Sequence, residues 1–99
     1  MSGKFVEFQS GATEDVETAV AWYRERSPKA ALDFIEELTR ATAAIQRAPT
    51  RWSLRKRNTR RFPLWRFPFA VIYEEQESKI VILAVAHGSR RPEYWVKHD

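Results

Sequence analysis

The residues of this sequence best suited to binding chemistry are cations concentrated in one segment. Residues 47–66 hold eight basic and no acidic side chains, whereas residues 1–46 carry a formal charge of −3 and residues 67–99 a charge of −1. The eight are Arg47, Arg51, Arg55, Lys56, Arg57, Arg60, Arg61 and Arg66, and the aromatic residues among them are Trp52, Phe62 and Trp65. Such a segment suits an anionic partner, either a nucleic acid or an acidic protein segment. The alternative is that these basic side chains lie on a loop and a strand face that contact only solvent.

Proton transfer and metal binding have few candidate residues. His87 has an ordinary pKa of about 6.5, which suits proton transfer near neutral pH. The alternative, which we favour, is that it holds a turn by a hydrogen bond to the backbone, since it precedes Gly88 at a predicted strand end. The other histidine is His98, and neither shows a spacing with carboxylates that is typical of metal ligands. The chain has no cysteine, which excludes thiolate catalysis, and its glycines form no phosphate-binding loop. We expect neither a metal nor a cofactor.

The length predicts a single domain over residues 1–99. A hydrophobic content of 43% is enough for one modest core. The first residues contain no apolar run resembling a signal peptide, and the longest apolar stretch, residues 80–86, is too short to span a bilayer. We expect a cytoplasmic protein.

Two helices are predicted after a short first strand at residues 4–9. Ser10-Gly11 reads as a break, after which Thr13 would cap a helix with acidic residues in its first turn, namely Glu14, Asp15 and Glu17. The apolar stripe of this helix comprises Val16, Ala19, Val20 and Tyr23. Ser27-Pro28 starts the second helix, which stops at Pro49, because proline is favoured at the first helical position. Its stripe comprises Ala31, Phe34, Ile35, Leu38, Thr42 and Ile45. So short a link predicts a helical hairpin.

Three strands are predicted in the remainder, at residues 60–65, 67–74 and 79–87. In the second of these, one face would carry Phe67, Phe69, Val71 and Tyr73, and the other Pro68, Ala70 and Ile72. Pro63 and Pro68 cannot donate to a ladder and belong near strand ends or at bulges. The predicted fold is α+β with the order β-α-α-β-β-β. The helical hairpin would pack on one face of a mainly antiparallel, twisted sheet.

This order and two motifs resemble the RelE/ParE superfamily of bacterial toxins, and the ParE branch more closely. Residues 61–73, RFPLWRFPFAVIY, are similar to the family's second and third strands, and residues 80–95, IVILAVAHGSRRPEYW, to its last strand and tail. The spacing His-x-x-Arg-x-Pro-x-Tyr-Trp is distinctive of ParE-like members. The resemblance covers essentially the whole chain. It implies a growth inhibitor of the plasmid-stabilisation type that is neutralised by a cognate antitoxin.

The two branches of the superfamily imply different chemistry. RelE-like toxins cleave mRNA on the ribosome, which needs a base, cations for the transition state and an acid. On that reading the catalytic residues would be Arg66 on the third strand, Arg90 (or Arg91), Tyr94 and His87. Arginine is a poor acid or base at neutral pH, so the set is incomplete. ParE-like toxins bind DNA gyrase and have no known catalytic centre.

Three hypotheses follow from the sequence. The first, which we favour, is a non-enzymatic ParE-like inhibitor of gyrase; the second is a metal-independent, ribosome-dependent endoribonuclease; the third is a non-toxic RNA- or protein-binding module on the same fold. The resemblance also implies a groove between the helical hairpin and the sheet for the antitoxin. The predicted partner-binding residues are Arg60, Arg61, Trp65, Trp22, Phe34, Tyr94 and Trp95.

Overall fold

The computed structural model describes residues 3–88. The elements are β1 (Phe5–Phe8), α1 (Ser10–Arg26), α2 (Pro28–Arg47), β2 (Arg60–Pro63), β3 (Phe69–Glu75) and β4 (Lys79–His87), with a short turn at Lys56–Asn58. The sheet has the order β1-β4-β3-β2, in which β1 runs parallel to β4 and the other pairs are antiparallel. The predicted α+β class and the element order are confirmed. No helix in this part of the chain is long and apolar enough to cross a membrane.

The start of α1 differs from the prediction. The helix begins at Ser10, so Thr13 is not its cap and the acidic residues lie beyond its first turn. Gln9 holds the junction, because its main-chain N–H donates to the Ile82 carbonyl (2.9 Å) and its carbonyl accepts from the Thr13 N–H (3.0 Å). Gly11 is buried inside the helix. The chain therefore passes from β1 into α1 without the predicted break.

The start of α2 is as predicted. The hydroxyl of Ser27 accepts from the Ala30 N–H at 3.2 Å, and Pro28 occupies the first turn. The helix ends at Arg47, two residues before Pro49. Ile35 was wrongly assigned to the buried stripe: it is 39% exposed, because the stripe runs through Phe34, Leu38, Ala41 and Ile45 and Ile35 lies beside it.

The core lies between the helical hairpin and one face of the sheet. Phe34, Leu38 and Ile45 of α2 pack there with sheet residues that include Val71, Tyr73, Ile80, Ile82 and Val85. The other face carries a second cluster of Ala70, Ile72, Val81, Leu83 and Ala84. The alternation predicted for the third strand is thus confirmed.

Strand ends differ most from prediction around the prolines. β2 stops at Pro63 rather than at residue 65, and β3 starts at Phe69 rather than at residue 67. Proline lacks the N–H group that a β-ladder needs. The turn between β2 and β3 is therefore closed by other hydrogen bonds, one of which runs from the Leu64 N–H to the Phe69 carbonyl (2.8 Å). Arg66 therefore lies in the β2–β3 turn, and its predicted position on a strand is wrong.

Candidate partner-binding groove

A buried carboxylate on α2 holds the β2–β3 turn. Glu37 is only 8% exposed, although it is charged and lies on the stripe that faces the sheet. Its carboxylate accepts the main-chain N–H groups of Trp65 and of Arg66, the latter at 3.1 Å. It also accepts the Arg66 guanidinium, with 3.1 Å between Nε and Oε1. One side chain therefore fixes both the backbone of the turn and the direction of Arg66.

The charge of Glu37 is stabilised by these donors. Burial acts to raise the pKa of the Glu37 carboxyl, but the N–H groups of Arg66 and Trp65 and the Arg66 guanidinium more than offset it. The pKa of Glu37 therefore lies below its ordinary value, and the group is a carboxylate at neutral pH. The pair forms a charge-assisted contact between α2 and the turn.

Trp65 projects from this fixed turn into solvent. Its side chain is 89% exposed, although its own main-chain N–H is bound by Glu37. Beside it, a groove of about 590 Å³ runs between α2 and β2. We call it the α2–β2 groove; its lining residues are Glu36, Glu37, Arg40, Ala41, Ala44, Arg47, Phe62, Pro63, Trp65 and Arg66. An apolar floor, rims that carry three arginines and two glutamates, and an exposed tryptophan suit the binding of an extended or helical segment.

Arg60 and Arg61, both predicted to bind a partner, lie on opposite faces of β2. The Arg60 guanidinium donates to the carbonyls of Trp52 (2.8 Å) and Thr50 (3.3 Å) and so holds the segment that follows α2. In the same region, the Tyr73 hydroxyl donates to the Pro49 carbonyl (2.5 Å), and burial raises the pKa of Tyr73 to about 12. Arg61 is paired in register with Ile72, on the face away from the helices. Arg60 is therefore structural.

His87 lies elsewhere, beside a second cavity. This cavity, of about 340 Å³, is lined by Trp22 and Tyr23 of α1 and by Phe69 and His87 of the sheet. The His87 and Phe69 rings meet edge to face at 5.0 Å. Asp15 also lines it, and its carboxylate accepts the Val85 N–H at 3.0 Å, which ties α1 to β4. Arg66 and His87 thus line different cavities, and the structure does not bring these two predicted catalytic residues into one site.

Phe34 cannot contact a partner as predicted. It is 0% exposed, because it lies on the face of α2 that packs on the sheet. Its ring stands 5.6 Å from Tyr23, 5.3 Å from Phe67 and 5.2 Å from Phe69, between centroids. Trp22 does lie at the surface, 51% exposed, with the Arg26 guanidinium 3.8 Å from its ring centroid. Arg90, Tyr94 and Trp95 lie outside the described residues.

Glu37 and the structural role of Asp15 were not predicted from the sequence. A signal for Glu37 was present, since Phe34, Glu37, Leu38 and Ala41 follow the spacing of one helix face. A charged residue inside such a stripe requires a partner. Asp15 gave no comparable signal, because an acidic residue near a helix start has a common surface role. Among residues 3–88 there is no group of three or more His, Cys, Asp or Glu side chains that could hold a metal ion.

Comparison with known proteins assigns the family. The family model described as "ParE toxin of type II toxin-antitoxin system, parDE" matches residues 6–92. The chain belongs to the ParE toxin family. As a ParE-type toxin of a type II toxin–antitoxin system, it has an antitoxin as its partner. The matched range includes the whole α2–β2 groove.

A solved structure titled "Chromosomal ParDE TA system from P. aeruginosa" has the same fold. It superposes with a TM-score of 0.75 at 18% sequence identity, over 86% of this chain and 96% of that chain. At that identity the likeness shows the fold alone. No curated protein matches this ParE-family chain in sequence.

Proposed function

We propose that this ParE-family toxin inhibits growth by binding DNA gyrase, and that its antitoxin neutralises it by occupying the α2–β2 groove. The observation that carries the proposal is the Trp65–Arg66 turn held by Glu37. A large aromatic side chain that is exposed on a fixed backbone loses little conformational freedom when a partner covers it. Such a residue is suited to anchoring a protein.

The placement of Arg66 and His87 supports binding over RNA cleavage. Cleavage through the 2′-hydroxyl needs a base and an acid on either side of one phosphate. Arg66 is held by Glu37, and His87 lines the separate cavity beneath Trp22. Arginine does not exchange its proton at neutral pH, so Arg66 could serve only as a cation.

The charges around the α2–β2 groove indicate the kind of antitoxin segment that fits. Its floor includes Ala41, Ala44 and Phe62, while Arg40, Arg47 and Arg66 contribute cations. Arg40 is already paired with Glu36 at 3.0 Å, and Arg66 with Glu37. We expect a segment with apolar side chains for the floor and carboxylates for the rims. β2 forms one edge of the sheet, so the segment could also align along it.

Trp65→Ala tests the groove. The candidate antitoxin is the product of a short reading frame beside the gene. We expect the affinity for it to fall at least 30-fold, since central aromatic residues contribute about 2 kcal/mol or more to interfaces. Leu32→Ala is the control, because Leu32 is 67% exposed on α2 and does not line the groove. Equal affinities of Trp65→Ala and wild type, measured by calorimetry, would exclude this groove as the antitoxin site.

Arg61→Glu tests whether an acidic part of the antitoxin segment follows the edge strand β2, because Arg61 lies on the face of β2 that points away from the groove. The structure selects Arg61 over Arg60, because reversing Arg60 would also release the carbonyls of Thr50 and Trp52. We expect Arg61→Glu to weaken the complex and to make its affinity less dependent on salt. An unchanged affinity in a pull-down would argue against an acidic segment at this edge.

Induction in cells tests the target. Expression without the antitoxin should cause filamentation and a DNA-damage response, as expected when gyrase is poisoned. Co-expression of the neighbouring reading frame should restore growth. Immediate arrest of protein synthesis with cut mRNA would instead support the endoribonuclease hypothesis, and unaffected growth would support a non-toxic binding module.

A further inference from the structure

The chain segment before β2 has an unusual backbone. Arg57 (φ 60°, ψ 30°) and Asn58 (φ 59°) are consecutive residues in the left-handed region, which side chains other than glycine rarely adopt. The Thr59 N–H donates to the Lys56 carbonyl at 3.2 Å, and the Leu54–Arg60 pair forms an antiparallel bridge around the turn. Two left-handed central residues closed by this bond are the pattern of a type I′ turn, the turn of tight β-hairpins.

Two further hydrogen bonds, one of them from a side chain, close the turn. Thr59 is 4% exposed, and its hydroxyl donates to the same Lys56 carbonyl at 2.7 Å. The Arg55 N–H donates to the Thr59 carbonyl at 2.6 Å. Three hydrogen bonds therefore fix five residues at the end of the hairpin. We call residues 55–58 the basic tip.

The basic tip presents cations outward. Arg55, Lys56 and Arg57 are consecutive and all exposed, and Arg51 is exposed on the approach to the hairpin. No acidic residue occurs between positions 47 and 66. Residues of the same charge repel each other, so fixing three of them in one turn favours a ligand with several negative charges.

The side chains of the basic tip favour phosphates over a protein surface. Protein interfaces are enriched in arginine but depleted in lysine, and they rely on aromatic anchors, of which residues 55–58 contain none. Nucleic-acid backbones are bound by both Lys and Arg side chains and need no aromatic anchor. The exposed Trp65 follows the opposite end of β2, so this four-residue strand, about 13 Å long at roughly 3.3 Å per residue, lies between it and the tip. The tip and the α2–β2 groove are thus separate surfaces.

We propose that the basic tip binds the phosphodiester backbone of a nucleic acid without reading its sequence. This goes beyond the proposed function, because it holds whichever target the toxin inhibits and does not involve the α2–β2 groove. The fixed turn presents the charges in one arrangement, which reduces the entropy lost when phosphates are bound.

The test measures binding of purified toxin to fluorescent probes by anisotropy, from 50 to 200 mM salt. The probes are a 20-base-pair DNA duplex, a single-stranded RNA of 20 nucleotides and a polyglutamate peptide. We expect nucleic-acid binding to weaken steeply with salt, with a log–log slope of about −0.9 per phosphate for the duplex and about −0.7 for the single strand. The duplex and RNA arms identify which nucleic acid is preferred.

The decisive variant is Arg55→Gln/Lys56→Gln/Arg57→Gln. We expect it to lose at least tenfold in affinity at the lower salt concentration and two to three units of slope, about one unit for each phosphate contact removed. The matched control, Arg24→Gln/Lys29→Gln/Lys79→Gln, removes the same net charge from other surfaces and should change affinity less than twofold. Circular dichroism establishes that both fold.

Asn58→Gly distinguishes the effect of the positive charges on binding from the effect of the turn's backbone conformation. It keeps every cation and suits the left-handed conformation, so affinity should stay within twofold of wild type. The proposal is overturned if the tip variant and the control bind alike. It is also overturned if polyglutamate binds with the tip-dependent affinity while both nucleic acids do not, since the surface would then serve an acidic protein.

Discussion

The basic segment of residues 47–66 contains two kinds of arginine that the sequence does not distinguish. The first kind, which we call inward arginines, is held by acceptors of the fold: Arg60 donates to the carbonyls of Thr50 and Trp52, and Arg66, although its side chain is 40% exposed, pairs with the buried Glu37. Arg55 and Arg57 instead lie exposed at the basic tip. The same residue type stabilises the fold in one region and is exposed to solvent in the other.

The difference depends on which acceptors the fold brings near each guanidinium. The segment itself has no acidic residue, so the inward arginines use a carboxylate from α2 and two main-chain carbonyls. A run of like charges can therefore contain both structural and ligand-binding members. Substitutions separate them, because removing the side chain of Arg60 or Arg66 should lower the free energy of unfolding, whereas removing that of the exposed Arg55 should not.

Glu37→Ala should have the largest effect on stability. It removes the acceptor of two main-chain N–H groups and leaves the Arg66 guanidinium without its buried partner, so we expect the free energy of unfolding to fall by about 3 kcal/mol. Glu36→Ala is the matched control: it breaks an exposed pair with Arg40 and should cost less than about 0.5 kcal/mol. Similar costs in urea denaturation would contradict the structural role of Glu37.

The contribution of Glu37 should depend on pH. Its pKa in the folded state is lowered from the unfolded value of about 4.3. A lowered pKa contributes stability that is fully present above the unfolded value and is lost as pH falls through the folded pKa. The difference in unfolding free energy between wild type and Glu37→Gln should therefore shrink below about pH 4. A difference that stays constant from pH 7 to pH 3 would contradict the charged interaction.

Arg60→Gln and Arg61→Gln compare the two faces of β2 directly. Arg60→Gln removes donors from the Trp52 and Thr50 carbonyls and should cost about 1 kcal/mol. Arg61→Gln alters the face away from the helices and should stay within about 0.5 kcal/mol of wild type. Thermal unfolding of the two variants measures the difference, and the reverse order would show that the inward assignment of Arg60 is wrong.

Arg57→Gly should have the smallest effect on the free energy of unfolding, and it should stabilise the fold rather than destabilise it. Glycine relieves a left-handed conformation that costs other residues about 1–2 kcal/mol, although its greater freedom in the unfolded chain offsets part of this. We expect a net stabilisation of about 0.5 kcal/mol. Lys56→Gly, at a position without a positive φ, should instead destabilise. Destabilisation by Arg57→Gly in chemical denaturation would indicate that the Arg57 side chain stabilises the fold.

The fold was largely predictable because its signals are local. Ser27-Pro28 marks the start of α2, and the alternation of Phe69, Val71 and Tyr73 marks the buried face of β3. The start of α1 was predicted wrongly, because Ser10-Gly11 resembles a break in the sequence. In the structure, the residue before the helix, Gln9, is held by a hydrogen bond to Ile82, which is distant in sequence. A hydrogen-bond acceptor that is distant in sequence cannot be predicted from the spacing of neighbouring residues.

The candidate site was predicted only in part for the same reason. Trp65 was identified from the interleaved aromatic pattern, and it does lie exposed beside the groove. Phe34 was assigned to the wrong side of α2, although its place in the apolar stripe indicated burial. Arg66 was expected on the third strand only from the resemblance. It lies instead in the β2–β3 turn, because β2 ends at Pro63 and β3 begins at Phe69.

The central claim, that this toxin acts by binding gyrase, is tested most directly by a supercoiling assay. Relaxed plasmid, gyrase and ATP are incubated with increasing amounts of purified toxin, with and without its antitoxin. The proposed function predicts that supercoiling is inhibited by the toxin and restored by the antitoxin. Undiminished supercoiling at all toxin concentrations, together with cut mRNA when the same preparation is added to translating ribosomes, would contradict it.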